Sequence, residues 1–337
     1  MSDSKRSRPT MLDVAELSGV SYQTVSRVIN NHPYVSDDTR KRVQEAIKTL
    51  GYRPNKAAIN LRAKSTKSIA IILYGAWFYG PMQIALNVEQ AARTSGFDVI
   101  LTNITETHKQ LTEALKNVKD WMVDGIVLIL PASGLPHKEI RSICGDIPLV
   151  MLDDIRAKKQ AVVGLDDAVG TRQLLEYLIE AGHREFCEIS GSLDWHSARI
   201  RHQTVQTVFE EYGLEPPVHV ESNWTTPGGY QATRRLLQQG HCFTALISAN
   251  DSMALGAYRA LYQAGLSIPD DVSVAGFDDI PEAAYYHPPL TTVRHNFIEL
   301  GTISFRYLMQ LMDDPDTGIE RKMVAPTLVL RDSTTEI

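Results

Sequence analysis

Two groups of residues in this sequence have the types and spacing to make specific polar contacts. The first is Tyr22, Gln23, Ser26 and Arg27, which a helix would carry on one face. In a DNA major groove Gln pairs bidentately with adenine and Arg with guanine, each good pair giving ~1–3 kcal/mol of base discrimination. The second group stands beyond short apolar runs. Asp153 follows the run 148–152, Asn250 follows 244–248, Asp278 follows 274–277, and Arg201 closes the segment 197–201 beyond the run 186–190. Asp, Asn and Arg together supply the paired acceptors and donors that hydroxyl groups need. Aromatic planes for the C–H face of a pyranose are available at Trp77, Phe78, Tyr79, Trp224 and Phe297. Each of these rings, taken singly, serves a core as readily as a ligand.

Other chemistries find less support. Asp153, Asp278 and Glu282 could be imagined as glycosidase carboxylates, but nothing sets two of them at a fixed separation. The three cysteines, Cys144, Cys187 and Cys242, are far apart, with no CxxC and no zinc-type Cys/His spacing. They read as inert buried thiols in a reducing cytoplasm. Neither an enzyme, nor a metal, nor a cofactor is expected.

The first group needs a helix to hold it, and the flanking residues supply one. Thr10-Met-Leu-Asp13 has the form of a capping box, a hydroxyl with a carboxylate three residues on. Leu12, Val14, Ala15 and Leu17 continue as an apolar stripe, and Gly19 ends the helix with a residue that tolerates the left-handed conformation. Ser21 caps the next helix, with Val25 and Val28 inward and Ile29 closing the core. Two short helices around a glycine turn, the second with a polar face, make a helix-turn-helix. On an ordinary small bundle the same face would simply be solvated. A third helix is predicted from Ser36 to about Leu50, with Val43, Ala46, Ile47 and Leu50 inward and Arg40, Lys41 and Arg42 placed for phosphates. Pro54 then introduces an Ala-rich segment, 56–64, too short to be helical alone. It reads as a linker that becomes helical when something holds it.

The charge is divided in the same place. Residues 1–64 carry 12 Lys/Arg against 6 Asp/Glu, a net of +6, although the whole 337-residue chain is at -6. A basic head on an acidic body lets only the head approach a polyanion.

The second group needs strand ends. Short apolar runs at 69–73, 98–102, 125–130 and 148–152 alternate with amphipathic stretches such as 82–93 and 110–121. A second series, 186–190, 244–248 and 272–276, repeats the pattern. Buried strands alternating with helices indicate parallel sheets in an α/β fold, and two series suggest two similar lobes. Ligands of such sheets bind beyond the strands' carboxyl ends. The chain has 43% hydrophobic residues, enough for sizeable cores, yet no run approaches the ~18–20 that a membrane helix needs. The basic start lacks the apolar core of a secretory signal.

At this point a resemblance is visible. The segment 13–28, Asp-Val-Ala-Glu-Leu-Ser-Gly-Val-Ser-Tyr-Gln-Thr-Val-Ser-Arg-Val, is similar to the DNA-binding head of the lactose-repressor family. Within the family, 21–27 resembles the recognition helix of the namesake member. The likeness continues through Tyr52-Arg-Pro-Asn55, 249–257, 273–279 and Pro288-Pro-Leu-Thr-Thr292, and so covers nearly the whole chain.

The resemblance implies an all-α helix-turn-helix head at 1–53 and a hinge at 54–64. It implies a two-lobed, periplasmic-binding-protein-like sensor at 65–337, crossed three times. One lobe is then about 65–165 with 297–323, and the other about 166–296 with 324–337. Tyr22, Gln23, Ser26 and Arg27 match base-reading positions. Leu61, with Asn55 and Ala58, matches the hinge that enters the minor groove, although Leu61 by itself could equally be core. Asp153, Arg201, Trp224, Asn250, Asp278, Phe297 and Trp77 are the implied ligand contacts, whereas Asp279 is expected to serve a turn or cap. The implied protein is a repressor that binds palindromic operator DNA as a homodimer in the cytoplasm, at the nucleoid. Its implied effector is a sugar such as a β-galactoside or β-glucoside. A purine or a phosphoprotein corepressor is the alternative. Two features differ from the namesake. The segment Gly75-Ala-Trp-Phe-Tyr-Gly-Pro81 is more aromatic, which leaves the sugar open. The sequence ends at Ile337 without a leucine-heptad tail, from which a dimer rather than a tetramer is expected.

Overall fold

The computed structural model describes residues 9–30, 32–52, 65–106, 108–131, 135–152, 161–314 and 317–337. The chain divides into two compact units, 1–66 and 67–337.

The first unit contains α1 (Met11–Ser18), α2 (Tyr22–Ile29) and α3 (Asp37–Leu50). Each helix starts where a side chain satisfies an orphan N–H. Thr10 and Asp13 form the reciprocal capping box, Ser21 accepts from Thr24 N, and Ser36 accepts from Thr39 N. Gly19 sits at φ 64°, ψ 34° and turns α1 into α2. The core gathers Val14, Ala15, Val25, Val28, Val43, Ala46 and Tyr52. Leu12 and Leu17, expected in the α1 stripe, are 66% and 53% exposed. At 100° per residue the inward face is the row 11, 14, 15 and 18, and positions 12 and 17 fall off it. Asn55, Ala58 and Leu61 of the expected hinge lie outside the described residues.

The second unit is built on two parallel sheets. The six-stranded sheet has the order β11-β5-β4-β3-β1-β2, from β1 (Ser68–Tyr74), β2 (Asp98–Ile104), β3 (Gly125–Ile129), β4 (Leu149–Leu152), β5 (Ala161–Leu165) and β11 (Arg321–Val324). Successive residues of β1 alternate between its faces. Ile69, Ile71 and Leu73 pack under α4 (Tyr79–Thr94) and α11 (Phe297–Asp313), while Ala70 and Ile72 pack under α5 (Lys109–Asp120) and α6 (His137–Cys144).

The four-stranded sheet has the order β7-β6-β8-β9, from β6 (Phe186–Ser190), β7 (Val218–Glu221), β8 (Ala245–Ser248) and β9 (Ser273–Ala275). Its faces are covered by α7 (Asp167–Glu180) and α8 (His196–Glu211) on one side and α9 (Thr226–Gln238) and α10 (Asp251–Gln263) on the other. β10 (Thr292–Arg294) pairs antiparallel with β12 (Thr327–Val329). The chain thus passes between the two lobes three times: between β5 and α7, between β10 and α11, and between β11 and β12. Both sheets point their carboxyl ends at the intervening cleft. No described helix is long and apolar enough to cross a membrane.

Candidate functional site

In the first unit α2 buries Val25 and Val28 and turns the opposite side outward. Gln23 and Arg27 are exposed, Tyr22 is 39% exposed, and Ser26 is half-buried. The Ser26 hydroxyl and carbonyl both accept from the Asn30 amide, at 3.4 and 2.9 Å. One short helix therefore offers an amide, a guanidinium and a phenol together. Arg40 of α3 donates to the His32 carbonyl at 2.9 Å, and Lys41 and Arg42 remain exposed.

In the second unit the cleft closes on Arg201. Its Nε donates to Asp167 Oδ1 at 2.9 Å, one terminal nitrogen donates to the Ala249 carbonyl, and the other lies 3.2 Å from His295 Nε2. The same nitrogen is 3.8 Å from Asp278 Oδ1, and the guanidinium lies 3.8 Å over the Phe277 ring centre. Four elements meet here: α7 brings Asp167, α8 brings Arg201, and the loops after β9 and β10 bring Asp278 and His295. Asp278 has φ 104°. A non-glycine residue in that region persists only where the surroundings over-determine it, and such positions gather at functional sites.

Burial sets the charge states. It pushes the Asp278 carboxyl up to about 7, with Arg201 opposing and Asp167 reinforcing. Burial likewise raises Asp167, against the pull of Arg201. His295 is held well below its ordinary value by burial and by the Arg201 cation, so it is neutral near pH 7. Its Nε2 faces the Arg201 donor, which places the remaining proton on Nδ1, and that buried atom has no hydrogen-bond partner. The indole Nε1 of Trp224 is also buried without one. Buried donors left this way cost free energy until something accepts from them.

Trp224 is placed by its neighbours. It has φ 69°, and its ring lies so close to Gly191 that a Cβ there would fall 2.1 Å from the indole Cε2. Asn250 caps α10 by accepting from Met253 N at 2.8 Å and donates to the Trp224 carbonyl at 3.0 Å. Asn250 lines the cleft, but its oxygen and one amide hydrogen are already engaged.

Two chambers share the wall of Phe78, Trp195 and Trp224. The inner one, of about 70 Å³, is lined by Asp167, Arg201, Asn250, Asp278, His295 and Phe297 among others. The outer one, of about 620 Å³, adds Tyr74, Glu106, His108, Lys109 and Asp194. The inner chamber has room for a few waters. Phe297 lies edge-on to Tyr79 and His295, with ring centres 5.8 and 5.5 Å away. Trp77 lines neither chamber: it is 56% exposed on the rim, edge-on to Tyr74, and its neighbour Phe78 takes the wall position instead. Asp153 lies outside the described residues. Asp279 is held by Arg294 at 2.5 Å and Arg331 at 2.6 Å, a structural role.

Asp167, His295 and Trp195 were missed by sequence reasoning. Asp167 follows β5 and His295 follows β10, so the rule that found Asn250 and Asp278 would have found both had those strands been recognised. Thr292-Val-Arg294 is too short for periodicity to mark, whereas Ala161-Val-Val-Gly-Leu165 is an apolar run as long as 186–190 and was passed over.

Residues 10–55 match the family described as "Bacterial regulatory proteins, lacI family", and residues 175–334 match a "Periplasmic binding protein-like domain". The chain is 32% identical to the lactose operon repressor of Escherichia coli (strain K12), over 97% of its own length and 90% of the relative's. It is also 32% identical to the HTH-type transcriptional repressor PurR of Haemophilus influenzae (strain PittEE), over 97% and 99% of the two chains. The solved structure of the Lac repressor dimer bound to operator and the anti-inducer ONPF matches with TM-score 0.91 at 31% identity, covering 98% of this chain and 100% of that one. The CelR–cellobiose complex matches with TM-score 0.72 at 30% identity, over 97% and 100%.

Proposed function

The chain belongs to the lacI family of bacterial regulatory proteins and is a transcriptional repressor, not an enzyme; from that premise we propose that its effector is a neutral β-linked sugar, a β-glucoside or β-galactoside, bound in the cleft between the two lobes. The observation that carries this reading is the state of Arg201. It is the one cation lining the inner chamber among the described residues, and Asp167 already neutralises it. A phosphate or other anion would meet Asp167 and Asp278 without a free positive partner. A neutral polyol instead meets what the chamber offers: the Asp278 carboxyl, the unpartnered N–H groups of Trp224 and His295, and aromatic walls. The outer chamber gives space for a second ring or an aryl group. Among similar structures, CelR is in complex with cellobiose and the Lac repressor dimer is bound to the anti-inducer ONPF. The relationship to PurR keeps purines as the competing class.

In this reading Tyr22, Gln23, Ser26 and Arg27 read base edges in the major groove, and a homodimer places two heads on a palindromic operator. Asn55, Ala58 and Leu61 form the hinge contact in the minor groove, with Leu61 as the wedge. Effector binding changes operator affinity only by its differential affinity for two states of the dimer, ~1–3 kcal/mol per coupled site.

Trp195 and Trp224 make the test direct. Intrinsic tryptophan fluorescence is titrated with cellobiose, lactose, aryl β-glycosides, hypoxanthine and guanine. Saturable change with one β-linked sugar, abolished in Trp224→Phe/Trp195→Phe, supports the proposal. Saturation by a purine alone replaces it.

A further inference from the structure

On the face of the four-stranded sheet beneath α8, we propose a binding site for a divalent transition-metal ion of the Zn²⁺ class, formed by Glu188, His202 and His219. Glu188 and His219 are register partners on β6 and β7, so their side chains rise from the same face of the sheet. His202 comes down onto them from α8. One ligand atom from each of the three lies within 4.8 Å of the other two. The Glu188 side chain is only 4% exposed, and its Oε2 is 2.7 Å from His202 Nδ1. The two imidazoles lie 4.2 Å apart, tilted by 33°.

Two imidazoles and one carboxylate are the donor set that Zn²⁺, Ni²⁺ and Cu²⁺ favour. The three atoms lie within 4.8 Å of one another, and His202 and His219, both half-buried, would have to adjust their rotamers to close on an ion. His219 Nε2 is 2.8 Å from the Ser190 hydroxyl, the kind of partner that fixes an imidazole's tautomer at a metal site. The ligands come from three separate elements, the outer two 31 positions apart, which is why Cys/His spacing in the sequence gave no sign of them.

The site is distinct from the sugar cleft but shares its supports. His202 follows Arg201 on α8, and Ser190 precedes the Gly191 on which Trp224 lies. A bound ion would join α8 to β6 and β7.

The test uses the full chain without a histidine tag, stripped with chelator and titrated with Zn²⁺ alone by calorimetry, then with Co²⁺ alone by visible absorption. One ion per chain is expected, with Co²⁺ bands of nitrogen–oxygen coordination. His219→Ala and, separately, His202→Ala are each expected to weaken that binding by about 100-fold or more, since even outer-shell changes at metal sites cost ~10–100-fold. Far-ultraviolet circular dichroism of each variant reports folding. Absence of stoichiometric Zn²⁺ binding overturns the proposal, as does binding that both folded variants retain.

Discussion

Arg201 is paired with Asp167 inside the cleft. Its Nε donates to Asp167 Oδ1 at 2.9 Å, and the two side chains are 9% and 3% exposed. Because α7 supplies one partner and α8 the other, the pair fastens two helices together beside the inner chamber. Removing one member of a buried pair leaves an uncompensated charge and costs ~3–5 kcal/mol. Arg201→Ala is therefore expected to lose sugar response and about 3–5 kcal/mol of sensor stability together. Denaturant unfolding alongside operator titration checks both. A variant as stable as the parent would show that the pair contributes nothing net.

Trp224 depends on the missing side chain at 191. In Gly191→Ala the new Cβ meets the indole at 2.1 Å, and the ring must tilt away from the wall it forms. Sugar affinity is predicted to fall about tenfold or more, equivalent to ~1.4 kcal/mol, while operator affinity without sugar is unchanged. Trp224→Ala removes the plane itself and is expected to cost ~1.5–3 kcal/mol of sugar binding. Fluorescence from Trp195 reports both variants, and unchanged affinity in Trp224→Ala would remove the ring from the site.

The cleft carries a pH signature. The folded Asp278 carboxyl titrates at about 7 against an ordinary 3.8, so the folded state binds more protons over the interval between. Its contribution is fully present below about pH 4 and is lost as the pH rises through about 7. His295, held neutral, acts in the opposite sense and loses stability as the pH falls below 6.5. The difference between the parent and Asp278→Asn isolates the first effect. Relative to that variant, the parent is predicted to lose stability steadily from pH 4 to 7, as read from denaturant midpoints. A flat difference would mean that Asp278 stays ionised in the fold.

On the head, Gln23→Ala and Arg27→Ala are each expected to cost ~1–3 kcal/mol on the cognate operator and little on other sequences. Lys41→Ala, at an exposed position near the start of α3, is expected to weaken every sequence alike and to reduce the salt slope by about one. Competition titrations at several salt concentrations separate the two patterns.

The head was legible because its signals are local. Thr10, Gly19, Ser21 and Ser36 each cap or turn within four residues, and each does so in the structure. The stripe was misjudged at Leu12 and Leu17 because apolar type alone does not say which side of a helix faces in. In the body, long apolar runs such as 69–73 announced their strands. The three-residue β9, β10 and β12 draw their regularity from partners distant in sequence. His295 follows one of these, β10, and was missed with it. The coupling of Arg201 to Asp167 joins positions 34 apart, and no local pattern encodes it.

On the proposed function, one neutral sugar in this cleft governs operator binding. Fluorescence anisotropy of a symmetric lactose-type operator duplex, at fixed salt and with each β-linked sugar in turn, measures it directly. Tight specific binding that one such sugar weakens by about 5–150-fold is expected, with the same change in Trp224→Ala only at about 10–150-fold higher sugar concentration. Tight binding that no sugar moves, or that only a purine moves, would contradict it.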